Sequence, residues 1–156
     1  LNGRSFYPLL KGEEQKDRDY VFTTFNFHSP GLRDYPMRAI INDDHCYIYN
    51  AFGRKAKLSE CQSGLTMAAI EADERMAATV KRIRVRPFEE FFDLKEDPYC
   101  QHNLLADETA DNDELNQMRR ILLGEMEETK DPLLSYYQKR EPGFPEAWSI
   151  RSKRKK

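Results

Sequence analysis

One stretch constrains the fold more than any other: Tyr35–Asn50, Tyr-Pro-Met-Arg-Ala-Ile-Ile-Asn-Asp-Asp-His-Cys-Tyr-Ile-Tyr-Asn. Ile40, Ile41, Cys46, Tyr47, Ile48 and Tyr49 suit a pleated, half-buried surface. Between them, Asn42-Asp43-Asp44 is turn chemistry, because Asn and Asp side chains bond their own backbone and tolerate left-handed dihedrals. Pro36 stands at the first strand's start, where a missing N–H does least harm. The stretch therefore predicts a hairpin at the centre of a small sheet.

The flanking chain supplies partners for that hairpin. Asp19–Phe27 alternates, with Tyr20, Phe22, Thr24 and Asn26 on one side and Val21, Thr23, Phe25 and Phe27 on the other. Aromatics on both sides predict a strand covered on both faces. Phe88–Leu94 is the last strand candidate, closed by the turn Lys95-Glu96-Asp97-Pro98. Ser63–Arg82 predicts a helix capped by Ser63, with Leu65, Ala68, Ala69, Ala72, Met76 and Val80 at steps of three and four. The strongest helix is Asp113–Glu128, whose Leu115, Met118, Leu122 and Met126 form a stripe widened by Ile121. That stripe needs a sheet face, and Asp131-Pro132 ends the helix. Near the start, Gly12 can end a short helical turn at Pro8–Lys11, and Phe6, Leu9 and Leu10 can pin this segment to something apolar. The order of elements predicts an α+β fold, an antiparallel sheet with helices on one face. Residues 1–18 read as a linker, 19–138 as the domain, and 139–156 as a Pro-rich and basic tail.

Composition excludes several classes. A net charge of −2 over 156 residues lacks the basic balance of nucleic-acid binders. No apolar run approaches the ~18 residues of a membrane span. No leader is visible, and the first residue is Leu, which reads as a fragment or processed chain. Cys46, Cys61 and Cys100 fall at no zinc half-site spacing; buried thiols are the simple reading, and a disulfide is open to an exported protein. The glycines make no dinucleotide or P-loop spacing, and there is no G-x-S-x-G.

Few side chains suggest chemistry. His28 lies in the loop His28–Asp34, with Ser29-Pro30-Gly31, after an aromatic strand; a loop histidine held by a sheet is a candidate binding group. His45, at the hairpin turn, reads as exposed and inert. Cys100-Gln101-His102 is too tight for a metal half-site. Glu89 and Glu90 are neighbours on a strand and point to opposite faces, so they form no acid/base dyad. Arg151–Lys156 is a basic terminus able to meet polyanions, although a solvated end explains it as well. No complete catalytic constellation emerges.

Several separated pieces, in order, resemble the C-terminal region of sulfatases. They are Asn2-Gly3-Arg4-Ser5-Phe6 with Pro8-Leu9-Leu10-Lys11-Gly12, Arg18-Asp19-Tyr20-Val21-Phe22, and Tyr35-Pro36-Met37-Arg38-Ala39-Ile40. Phe88-Glu89-Glu90-Phe91-Phe92-Asp93-Leu94, followed by Asp97-Pro98 and Asn103-Leu104, resembles the family's Glu-Leu-Tyr-Asp-Leu…Asp-Pro…Asn-Leu signature. Met118-Arg119 and Met126–Pro132 look like its closing helix. The Tyr-Pro-Met-Arg and Thr-x-Asp-Pro pieces are most similar to the heparan N-sulfatase (sulfamidase) branch.

The resemblance implies a four-stranded antiparallel sheet with a C-terminal helix packed across it. It also implies hydrolysis of sulfate esters or sulfamates, by a formylglycine made from Cys or Ser in Cys/Ser-x-Pro-x-Arg with a calcium ion at the sulfate oxygens. No Cys or Ser of this chain has Pro two residues later, so the chain by itself should not hydrolyse sulfate. Catalytic residues and calcium are expected in an N-terminal catalytic domain, which is the implied partner, with a sulfated glycan as substrate and an exported or lysosomal setting. His28, and less directly Arg38, are the residues carried over as substrate contacts. Two other readings compete: a free-standing module binding anionic glycans through Arg54, Lys55, Lys57 and the basic tail, and an interaction domain of unrelated lineage.

Overall fold

The computed structural model describes residues 4–16, 18–26, 36–53, 64–107 and 113–143. Its elements are helix α1 (Tyr7–Leu10), strands β1 (Val21–Phe25), β2 (Met37–Ile41) and β3 (His45–Asn50), helices α2 (Leu65–Ala72) and α3 (Ala77–Arg84), strand β4 (Glu89–Asp93), and helices α4 (Asp113–Glu128) and α5 (Leu134–Lys139). The strands form one antiparallel sheet in the order β1-β2-β3-β4. The fold is α+β, as the sequence predicts, and the hairpin β2–β3 is its centre.

The hairpin turn works as its residues suggest. Asn42 Oδ1 accepts from the amides of Asp44 (3.0 Å) and His45 (2.6 Å), while Asn42 N donates to His45 O at 3.0 Å. The Asn42 amide also donates to Glu114 Oε1 at 3.0 Å, which ties the turn to the first turn of α4.

The pleat then decides which residues meet. Across the strands, Phe22, Ile40, Tyr47 and Phe91 form one row, and Thr24, Arg38, Tyr49 and Glu89 form the next. On this face lies α4, whose Leu115, Met118, Leu122 and Met126 are buried with Ile40, Tyr47, Tyr49, Phe91, Leu133 and Tyr137. Each large apolar side chain buried here contributes about 1.5–3 kcal/mol. Helix α5 extends the layer. Tyr137 meets the edge of the Tyr49 ring at 4.9 Å, and its hydroxyl donates to Arg119 O at 3.1 Å.

The opposite face carries Ala39, Cys46, Asn50, Glu90 and Phe92, all buried. Asn50 donates to Glu90 Oε1 (2.5 Å) and Pro87 O (2.8 Å), and Arg86 pairs with Glu90 at 2.8 Å. Gly53, at φ +30°, is needed where the chain leaves β3, because a Cβ there would lie 3.1 Å from Phe88.

Three expectations change. Ser63–Arg82 is two helices, α2 and α3, parted at Asp73, which is extended (φ −94°, ψ 108°) and caps the following 3-10 turn by accepting from Arg75 N. Leu65, expected on the apolar stripe, is 92% exposed, and Met67 is the buried residue of α2. Strand β1 is mostly exposed rather than covered on both faces, because it is the edge of the sheet.

Candidate functional site

Of the two residues carried over as substrate contacts, His28 lies outside the described residues; so do Arg54, Lys55, Lys57 and Arg151–Lys156. Arg38 is described, and its setting is the best-defined polar site in the chain.

Arg38 sits on the helix face of β2, opposite Thr24 of β1 and Tyr49 of β3. Only 4% of its side chain is exposed, against 9% for Asp131. The pair is bidentate, with Nε donating to Asp131 Oδ2 at 2.5 Å and Nη2 to Oδ1 at 3.1 Å. Nη1 donates to Met37 O (2.8 Å), Asn26 Oδ1 (2.9 Å) and Phe25 O (3.4 Å). All three guanidinium nitrogens are thus engaged within the protein. Asp131 is equally committed, for its Oδ1 also accepts Leu133 N at 2.8 Å and so turns the chain from α4 into α5. The Tyr-Pro-Met-Arg and Thr-x-Asp-Pro pieces, far apart in sequence, meet in this one ion pair.

Beside the pair lies a groove of about 280 Å³ between β1 and the C-terminal half of α4. Phe22, Leu122 and Met126 form its apolar wall; Asn26, Glu125 and Thr129 form its polar rim. Asp131 cancels the charge of Arg38, and Glu125 leaves the groove with an excess carboxylate. That balance does not favour direct capture of a sulfate. No nucleophile with an adjacent base lines it, so the site acts as a joint that fixes the end of β1 and Asn26.

A second polar cluster joins the sheet to α4 and α5. Glu89 accepts from the Tyr47 hydroxyl (2.5 Å), Arg119 Nη2 (2.9 Å) and Arg140 Nη2 (2.5 Å). Burial, reinforced by Tyr137 and Glu89, pushes the Tyr47 hydroxyl well above its usual range, and burial raises Tyr137 to about 12. Both stay protonated donors at neutral pH. Glu90 points to the other face with Asn50 and Arg86, in keeping with the strand alternation that rules out a dyad.

The remaining candidates are placed as follows. His45 is half-buried, stacked on Phe91 at 5.1 Å, with Nδ1 buried and unpartnered; the expectation that it is exposed fails because its strand position turns it onto the helix face. Asp44 pairs with Lys95 at 2.8 Å. His102 is exposed, and its amide donates to Asp97 at 2.7 Å. Asn103 Oδ1 accepts Phe91 N at 2.9 Å while its amide donates to Glu89 O at 3.3 Å, so the Asp-Pro…Asn-Leu piece seals the β4 edge. Among the described residues no three His, Cys, Asp or Glu side chains come together in a way that could hold a metal ion. No helix among them is long and apolar enough to cross a membrane. Sequence reasoning missed Asp131 and Arg119 as the partners of Arg38 and Glu89, since nothing local marks contacts at such separations.

No protein-family model matches the chain. It is 28% identical over 127 residues, 81% of its length, to an ulvan-active sulfatase of Formosa agariphila. A crystal structure from Bacteroides thetaiotaomicron VPI-5482, provisionally described as a sulfatase, superposes with a TM-score of 0.53 over 94% of the chain at 20% identity, a likeness of fold. The chain spans 24% of the length of each of these proteins.

Proposed function

We propose that this chain is the non-catalytic C-terminal portion of a sulfatase, packing on the catalytic portion and helping to shape the substrate cleft. The observation that carries this reading is an apolar surface on a chain similar to about a quarter of a sulfatase. Phe6, Tyr7 and Leu10 of the α1 segment are 63%, 59% and 73% exposed, and Val21 of β1 is 58% exposed. Three large apolar groups exposed within the five residues Phe6–Leu10 are the kind of surface that another layer of protein covers. Sulfate chemistry, with its formylglycine and calcium, would then belong to the catalytic portion. An exported or lysosomal setting, and the sulfamidase branch, belong to the same proposal and rest on the motif resemblance.

Hydroxyl-radical footprinting of the full-length protein tests it. Phe6, Tyr7, Leu10 and Val21 should be shielded, whereas Tyr99, 81% exposed, serves as the reactive control. Oxidation of all four at the rate of Tyr99 would overturn the docking and favour a free-standing glycan-binding module.

Within this reading, His28 is the substrate contact, donating a hydrogen bond to a sugar hydroxyl or carboxylate at the cleft rim. Arg38 is a positioning residue. It grips Phe25 and Asn26 just before the segment that carries His28. In the full-length enzyme, His28→Ala should raise KM for a glycan sulfate several-fold, on the scale of one lost hydrogen bond, about 0.5–1.5 kcal/mol. A small aryl sulfate should be unaffected. Unchanged kinetics on both would remove His28 from the cleft.

A further inference from the structure

Strand β1 leaves one edge of the sheet open. It pairs residue for residue with β2, from Val21 opposite Ile41 to Phe25 opposite Met37, without a bulge. Among the described residues, no hydrogen bond other than that pairing reaches the backbone of Val21–Thr24. Val21, Phe22, Thr23 and Thr24 are all exposed. Sheet edges are ordinarily blunted by charged side chains, proline, bulges or a covering segment. The residues of β1 are Val, Phe, Thr, Thr and Phe, with no charge and no proline, and all are types that favour a strand. The other edge is treated differently: there Asn103 accepts from Phe91 N and donates to Glu89 O, and so covers β4.

The open edge is already ordered. Arg38 reaches from β2 to Phe25 O and Asn26 Oδ1 and so fixes the end of the strand. Beside the edge, on the helix face, lies the groove of about 280 Å³ between β1 and α4. Phe22 and Thr24 share that face with Ile40 and Arg38. A strand laid along β1 would send its own alternate side chains to the same face. There they would meet the apolar wall of Phe22, Leu122 and Met126 and, at the rim, Glu125. Glu125 is half-buried, and its carboxylate has no hydrogen bond or ion pair among the described residues. Because Asp131 cancels Arg38, the groove is short of one cation. A row of backbone donors and acceptors beside such a groove selects an extended chain, with the main chain giving affinity and the pocket giving specificity.

We propose that β1 accepts a fifth strand: an extended segment of the catalytic portion pairs along Val21–Thr24 and sends one basic side chain to Glu125. Resting on the reading of this chain as the C-terminal portion of a sulfatase, the pairing is how the two portions hold each other in register. Continuity and charge point to this occupant. Arg18 Nη2 donates to Ser5 O at 2.8 Å, and Arg4 Nη2 donates to Lys16 O at 2.8 Å. The segment bearing the exposed Phe6, Tyr7 and Leu10 is thereby tied back to the residues that lead into β1, and one partner can cover both. A second copy of this chain, paired antiparallel along the same edge, would instead bring a second Glu125 to the same face of the joined sheet.

Hydrogen exchange of the full-length protein, resolved to single amides, tests the pairing. In a strand with one free edge, successive amides alternate between bonded to the neighbouring strand and open to water. With a fifth strand in place, the amides of Val21, Phe22, Thr23 and Thr24 should all exchange slowly, like those of Tyr47 and Ile48 in the central strand β3. Fast and slow amides in alternation along β1 overturn the proposal. Hydroxyl-radical footprinting of the same protein separates that failure from failure of the docking. Alternation with Phe6, Tyr7 and Leu10 shielded removes the fifth strand alone, whereas alternation with all three oxidised removes the docking as well. Protection that is lost on dilution, as light scattering shows a dimer falling to a monomer, assigns the edge to a second copy and overturns the catalytic portion as occupant. Glu125→Lys, at a half-buried position, should speed exchange of the outward amides about five- to tenfold while β3 stays protected. Unchanged exchange in that variant overturns the charge match at Glu125.

Discussion

Arg38 shows how a residue that looks like a ligand contact can be consumed by its own fold. Taking a guanidinium and a carboxylate out of water costs several kcal/mol per ion, and only good geometry with every remaining donor satisfied offsets that cost. Arg38 comes close to the condition, with Asp131 taking Nε and Nη2 and with Met37, Asn26 and Phe25 sharing Nη1. Removing either partner strands a buried charge. Arg38→Ala and Asp131→Ala should each destabilise by about 3–5 kcal/mol, and the double variant by clearly less than their sum. Urea denaturation midpoints of the four proteins decide it; strict additivity would show that the two charges do not depend on each other.

At the scale of elements, α4 and α2 invite comparison because both follow a helical period. The α4 stripe is made of Leu and Met, large enough to fix one face against Ile40, Tyr47 and Phe91. Half of the stripe expected in the Ser63–Arg82 stretch is alanine, which buries too little area to choose a face. There, the capping chemistry of Asp73 wins and splits the helix in two. Leu122→Ala should cost about 2–5 kcal/mol, the usual range for a buried leucine. Leu65→Ala should stay within about 0.5 kcal/mol, being 92% exposed. Thermal melts of the two variants separate the cases, and a large loss at Leu65 would mean that this face is covered. Strand β1 teaches the same lesson: its aromatics suggested two covered faces, but at the sheet edge four of its five residues are exposed and Phe25 is only half-buried.

For the whole molecule, the tyrosines that join the sheet to the helical layer couple stability to pH. Tyr137 titrates at about 12 when folded, against 10 for a free tyrosine, and Tyr47 and Tyr49 are raised too, in each case chiefly by burial. A raised folded value means that the folded state holds the proton more tightly. The stability this confers is complete below pH 10 and is lost as pH climbs from 10 through the folded values. Each tyrosine removes up to about 1.4 kcal/mol per pH unit in that window. Melting temperatures should therefore be flat near pH 9 and fall steeply above 10, and Tyr137→Phe should flatten the fall. A melting temperature unchanged up to pH 12 would mean that the hydroxyls are open to solvent.

The sequence by itself determined the local elements and the fold class. Alternation, Asn-Asp turn chemistry and a Leu/Met stripe act between near neighbours, so the hairpin Tyr35–Asn50 and the bounds of α4 could be read from residue types alone. The opposed directions of Glu89 and Glu90 follow from the same strand geometry. The pairings between distant segments were decided by the tertiary structure. Arg38 with Asp131 and Glu89 with Arg119 depend on which strand lies beside which and on how α4 crosses them. The short helix α5 became visible only where Asp131 turns the chain back onto the tyrosines. No local pattern encodes such contacts, because the chain meets itself there only after the sheet has set the register.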